Sequence, residues 1–136
     1  MNHPSVLLAD DNRLLVERVE ELLASSFDVV GTAHDGQDLV VKALRLTPDV
    51  VVVDITMPIL TGIEAVRQLR NAGLETKFVF LTIHNESEML EACLAEGAVG
   101  YVLKTRMKDD LIPAVNAAVA GKQFVSSGIS ILEDRP

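Results

Sequence analysis

Val50-Val51-Val52-Val53-Asp54 is a run of four β-branched residues closed by an acid, and Val6-Leu7-Leu8-Ala9-Asp10-Asp11 repeats the pattern near the start of the chain. Short apolar runs of this kind read as strands covered on both faces, as in a parallel sheet, because a half-exposed strand would alternate with polar residues. The closing acids mark carboxyl ends that reach the surface. In an open parallel sheet, ligands gather outside those ends. If the two strands are neighbours, three carboxylates share one cleft. Two unit charges about 4 Å apart repel by roughly 4 kcal/mol at a surface-like dielectric. A hard divalent cation relieves that repulsion, and a cluster of oxygen donors suits Mg²⁺.

Working outward, strand-like and helix-like runs alternate five times. The strands are expected at Val6–Ala9, Val29–Ala33, Val50–Val53, Phe78–Thr82 and Val99–Leu103. The helices are expected at about Arg13–Ser25, Gln37–Leu46, Gly62–Asn71, Ser87–Glu96 and Lys108–Ala120. Leu15, Val19, Leu22 and Leu23 in the first recur at helical spacing, with Asn12 as its N-cap. Gly97 and Gly121 close the last two helices. Strands alternating with helices imply an α/β protein of flavodoxin-like (βα)5 type. The sheet is expected to be doubly wound, parallel and five-stranded, in the order 2-1-3-4-5. That order sets the first strand beside the third and brings Asp10, Asp11 and Asp54 together. The stretch after Gly121, residues 122–136, reads as a linker or tail.

Two further residues fall on the same edge. Thr82 ends the fourth strand and Lys104 follows the fifth. With Asp54 on the central strand as the reacting carboxylate, Asp10, Asp11, Asp54 and the backbone carbonyl of Thr56 would hold Mg²⁺. Thr82 would hydrogen-bond an added phosphoryl oxygen and Lys104 would pair with another. The chemistry of such a set is phosphoryl transfer to a carboxylate.

The whole chain is consistent with this. It has 136 residues, is 49% hydrophobic and 24% charged, and carries a net charge of −8. That balance argues against direct nucleic-acid binding by this segment, since phosphate contacts need clustered Lys and Arg. No apolar run approaches the ~20 residues of a membrane span. The first residues lack a signal-peptide pattern, and the single cysteine, Cys93, has no internal partner; both fit the cytoplasm. Cys93 lies on the apolar side of its helix and reads as a small buried hydrophobe. Neither His3 nor His34 has metal-ligand spacing with other residues.

In these motifs the chain resembles the response-regulator receiver domain of two-component signalling. The resemblance covers residues 4–121. It rests on Leu8-Ala9-Asp10-Asp11-Asn12, on Val53-Asp54-Ile55-Thr56-Met57-Pro58 with Gly62 beyond, on Leu81-Thr82, and on Gly97-Ala98-Val99-Gly100-Tyr101-Val102-Leu103-Lys104. It implies that Asp54 accepts a phosphoryl group from a histidine kinase or phosphotransfer protein. It implies that Thr82 and Tyr101 are a switch pair, Thr82 drawing toward the phosphate and Tyr101 turning inward behind it. The face of the fourth helix, fifth strand and fifth helix would then change its partner preference. Thr56 and His84, each two residues past a site residue, look like tuners of hydrolysis. Apart from self-phosphorylation and self-dephosphorylation, no enzyme activity is implied.

Leu81-Thr82-Ile83-His84 and Gly121-Lys122-Gln123-Phe124-Val125 look like the NarL/FixJ group, whose members usually carry a LuxR-type helix-turn-helix. The residues after Gly121 are too few for that module, so no DNA-binding domain is expected here. Either a stand-alone receiver or a piece of a longer transcriptional regulator is implied. The Ala-rich last helix permits close packing, and a homodimer on phosphorylation is an expectation. One departure is Thr105, where the family commonly has Pro after a cis bond; a cis Lys104–Thr105 peptide would cost about 2.5–4 kcal/mol.

Other readings fit less well. A haloacid-dehalogenase-like phosphatase wants a second Asp two residues after the nucleophile, and Thr56 stands there. A flavin-binding flavodoxin wants a Ser/Thr/Gly-rich phosphate loop where Asp10-Asp11-Asn12-Arg13 stands. A receiver-like module that no longer uses phosphate would have no need of the intact set of five site residues.

Overall fold

In the computed structural model, which describes residues 3–130, strand and helix alternate from the start. The order is β1 (Ser5–Ala9), α1 (Arg13–Leu23), β2 (Asp28–Ala33), α2 (Gly36–Leu46), β3 (Val50–Val53) and α3 (Gly62–Asn71). There follow β4 (Lys77–Thr82), α4 (Ser87–Ala95), β5 (Gly100–Leu103), a single 3-10 turn (Lys104–Arg106), α5 (Met107–Val119) and β6 (Phe124–Val125). All strand pairs are parallel. The sheet order is β2-β1-β3-β4-β5-β6. The five-strand order read from the sequence is present, with a sixth short strand added beyond β5.

The period-2 geometry of strands explains why the apolar runs are unbroken. Leu7, Ala9, Val51, Val53, Phe80 and Tyr101 face one side, against Leu39 and Ala43 of α2, Ala65, Val66 and Leu69 of α3, and Cys93 of α4. Val6, Leu8, Val50, Val52, Val79 and Val102 face the other, against Val16, Val19 and Leu23 of α1 and Leu111, Ala114, Val115 and Ala118 of α5. Each central strand therefore needs apolar side chains at both parities.

Local signals fix the helix starts. The Asn12 side chain accepts a hydrogen bond from the Leu15 amide at 3.2 Å and caps α1 as expected. Thr61 and Glu64 form a full capping box on α3. Its Thr-x-x-Glu spacing is visible in the sequence. Gly62 opens α3 hard against the site: its amide donates to the Ile55 carbonyl at 2.7 Å. A Cβ there would collide with the Asp54 carbonyl oxygen.

The stretch after Gly121 departs from the linker-or-tail reading. The Phe124 amide donates to the Val99 carbonyl and the Ser126 amide to the Tyr101 carbonyl, both at 2.9 Å, so this segment lies along the free edge of β5. A two-residue strand is too short to carry a periodic signal, which is why the sequence conceals it. The remainder of that stretch, residues 131–136, lies outside the described residues. No cis peptide bond occurs among the described residues, so the Lys104–Thr105 bond is trans, and the 3-10 turn carries the chain from β5 into α5.

Gly62→Ala should lower unfolding stability by about 2–3 kcal/mol through overpacking against the backbone of Asp54. The urea midpoint measures this; an unchanged midpoint would show that α3 can retreat freely from β3.

Candidate functional site

Asp10 and Asp54 each stand one residue past a strand, and the ladder continues just far enough to hold them. The Asp10 amide donates to the Ala33 carbonyl at 3.0 Å, and the Asp54 amide donates to the Ala9 carbonyl at 2.9 Å. Both backbones are thereby fixed to neighbouring strands. Asp10, Asp11 and Asp54 each offer a carboxylate oxygen, and the three oxygens lie within 4.8 Å of one another. Asp10 and Asp54 are buried while Asp11 is exposed. The cleft therefore opens to solvent on one side.

Lys104 reaches into this cluster from the end of β5. Its Nζ lies 2.8 Å from Asp10 Oδ2 and 3.4 Å from Asp54 Oδ2. Toward Asp54 it donates a hydrogen bond. Toward Asp10 it is close but poorly aligned, so Oδ2 is ion-paired while lacking a hydrogen-bond donor. The other oxygen, Asp10 Oδ1, accepts from the Asn12 amide at 2.9 Å. One ammonium thus stands against two of the three carboxylates. A buried carboxylate oxygen without a donor, beside two further carboxylates, suits a hard cation.

The titration of these groups reflects the same crowding. Burial raises the Asp54 carboxyl above its ordinary 3.8, and the neighbouring charge of Asp10 raises it further; Lys104 only partly offsets them. For Lys104, burial is the largest single influence and disfavours the charge. The carboxylates of Asp10 and Asp54, both close to its Nζ, nevertheless hold its pKa above the ordinary 10.5.

Thr82 ends β4 fully buried, and its Oγ1 accepts the His84 amide at 3.1 Å. Tyr101 on β5 pairs with Phe80 of β4. Its ring is fully buried, and its hydroxyl donates to the His84 carbonyl at 2.8 Å. Burial of the phenol raises its pKa. The two expected tuners also meet: Thr56 Oγ1 and His84 Nε2 are 3.3 Å apart, and His84 Nδ1 lies 3.5 Å from Glu86. Asp10, Asp11, Asp54, Thr82 and Lys104 therefore lie at the carboxyl edge, and Thr56 and Tyr101 join it through His84. Cys93 is buried, and that burial pushes its thiol up to about 12.

Residues 6–116 match the sequence profile of the response regulator receiver domain. The chain belongs to this family. It is 38% identical over 119 residues to the uncharacterized transcriptional regulatory protein YxjL of Bacillus subtilis (strain 168), a match covering 86% of this chain and 55% of that protein. It is 33% identical over 128 residues to the nitrate/nitrite response regulator protein NarL of Escherichia coli (strain K12), covering 93% and 59% respectively. A LuxR-family two-component response regulator from Aurantimonas sp. SI85-9A1 has the same fold, with a TM-score of 0.89 and 30% identity, over 94% of this chain and 93% of that one. This is a receiver domain of the NarL/LuxR type. The chain spans little more than half the length of the curated relatives it matches. No helix among its described residues is long and apolar enough to cross a membrane.

The raised Asp54 pKa has a consequence for receiver stability. A carboxyl with a raised folded pKa contributes stability below its unfolded value and loses it as pH rises through the folded value. Without divalent cations, Asp54→Asn should therefore melt higher than the wild type at pH 7. The gap should narrow as pH falls toward 3.8 and close below it, where Asp54 is protonated in both states. Melting curves from pH 4 to 7 check this, and a gap that stays constant with pH would contradict it.

Proposed function

We propose that Asp54 accepts a phosphoryl group from the phosphohistidine of a histidine kinase or phosphotransfer protein. The observation that carries this reading is the cluster of three carboxylates, with Lys104 as the one cation shown against Asp10 and Asp54. The Asp54 oxygen attacks phosphorus, the phosphorus–nitrogen bond breaks, and the departing imidazole takes its proton from solvent. Asp10, Asp11, Asp54 and the Thr56 backbone carbonyl would hold Mg²⁺. When bound, the ion supplies positive charge against the phosphoryl oxygens.

The protein's own groups do the rest. Lys104 already bridges Asp10 and Asp54, so a short swing of its ammonium pairs it with a phosphoryl oxygen. Thr82 turns its hydroxyl from the His84 amide to a second phosphoryl oxygen. Tyr101, already inward, fills the space behind it. The Thr56–His84 contact supports a role for both residues at the pocket mouth, where they restrict attack of water on the acyl phosphate and set its lifetime. No further substrate is turned over; the domain phosphorylates and dephosphorylates itself.

The relatives' names support an output in transcription. The acidic receiver itself would make protein contacts rather than nucleic-acid contacts, and would pair with a second copy once phosphorylated.

Intact mass after incubation with Mg²⁺ and acetyl phosphate tests this. The wild type should gain about 80 Da, one phosphoryl group. Asp54→Asn should gain nothing, and Asp11→Asn should label much more slowly at the same Mg²⁺. Label persisting in Asp54→Asn would overturn the assignment.

A further inference from the structure

The segment after α5 is tied to the fold at two distant points. The first is the free edge of β5. Besides the two backbone bonds of β6, Ser126 is buried, with its Oγ donating to Asp110 Oδ2 at 2.7 Å and accepting the Leu103 amide at 3.1 Å. Arg106 Nε closes this knot on Asp110 at 2.9 Å. The Arg106 and Ser126 hydrogen bonds hold the Asp110 carboxyl below its ordinary range. The second point is the start of α4. There the Ser130 amide donates to the Asn85 carbonyl at 2.7 Å, and the Ser87 amide donates to the Ser130 carbonyl at 2.9 Å. Between the two ties, Gly128 turns the chain at φ +96 and Ile129 packs on the core.

The second tie falls on the loop that holds both switch residues. His84 gives its amide to Thr82 and its carbonyl to the Tyr101 hydroxyl. Asn85, the next residue, is held by Ser130. Tyr101 is also engaged at both ends, its hydroxyl on His84 and its main-chain carbonyl on the Ser126 amide. When Thr82 leaves the His84 amide for a phosphoryl oxygen, the loop must readjust. Main-chain groups at the loop and the strap are then either re-paired together or left without partners, which is costly where they are shielded from water.

We propose that residues 124–130 are a strap that moves with the switch loop 83–87 as one unit, so that phosphorylation of Asp54 tightens it. The proposal rests on the phosphoacceptor reading given above. Its direction comes from the structure: a docked strap coexists with a fully buried Tyr101, the arrangement assigned to the phosphorylated state. By thermodynamic reciprocity, a strap that docks better on the phosphorylated domain also favours that state.

Hydrogen exchange read by mass spectrometry on the whole chain, with and without Mg²⁺ and beryllofluoride, tests it. In the wild type, exchange should slow by about tenfold in both 83–87 and 124–130 on loading. Ser87→Pro removes the amide that Ser130 accepts. Proline is at home in the first position of a helix. Glu86, at φ −77 and ψ 137, already has the extended backbone that a residue before proline requires. The buried Ser87 hydroxyl lacks a hydrogen-bond partner, so its loss leaves no group unpaired.

This variant should still load. Its switch loop should still slow while its strap does not, and half-saturation should need at least about fivefold more beryllofluoride. Ser126→Ala, which loosens the other tie without touching α4, should uncouple the strap in the same way. A wild-type strap that is unchanged or faster on loading, while 83–87 slows, would overturn the proposal. So would a strap that still responds in both variants. No change anywhere around Asp54 in the wild type would instead overturn the phosphoacceptor reading, and this proposal with it.

Discussion

The repulsion among Asp10, Asp11 and Asp54 is the constraint on which the rest of the site depends. The fold creates it. Placing β1 beside β3 fixes the three backbones, and burial of two of the acids strengthens the repulsion by excluding water. Lys104 is the fold's own response, but a single positive charge set between Asp10 and Asp54 leaves Asp10 Oδ2 without an aligned donor. The arrangement is a domain that spends stability to keep a reactive carboxylate beside an incomplete counter-charge. Function is then expected where local stability is poorest.

Much of this was legible in the sequence because it rests on coarse physics. Unbroken valine runs report two-sided burial, and acids at their ends report the carboxyl edge. Right-handed crossovers leave few strand orders. Thr82 and Lys104 were placed by the same logic, since residues closing neighbouring parallel strands must share an edge. The sequence marked Thr56 and His84 only by their spacing from Asp54 and Thr82 and by the family resemblance; their contact is not legible there, because two loops approach and no periodicity relates them.

The strap was missed for a different reason. Its strand is two residues long, and its hold comes from a serine hydroxyl on a buried aspartate sixteen positions earlier. Arg106, at the end of the 3-10 turn, and Asp110, in the first turn of α5, are a local i,i+4 ion pair. Nothing local pointed from either to Ser126. Likewise Ser130 meets α4 only because Gly128 reverses the chain, a three-dimensional event that composition does not record. Long-range hydrogen bonds of side chain to side chain are the part of a fold that a single sequence hides best.

A Mg²⁺ titration of thermal stability tests the central claim most directly. If the three carboxylates form a cation site held in electrostatic conflict, Mg²⁺ should raise the melting temperature saturably, by binding the folded state alone. NaCl at matched ionic strength should do much less. Asp11→Asn, which removes the exposed ligand and leaves both buried acids in place, should lose the Mg²⁺ response. A melting temperature indifferent to Mg²⁺, or one that NaCl raises equally, would contradict the account.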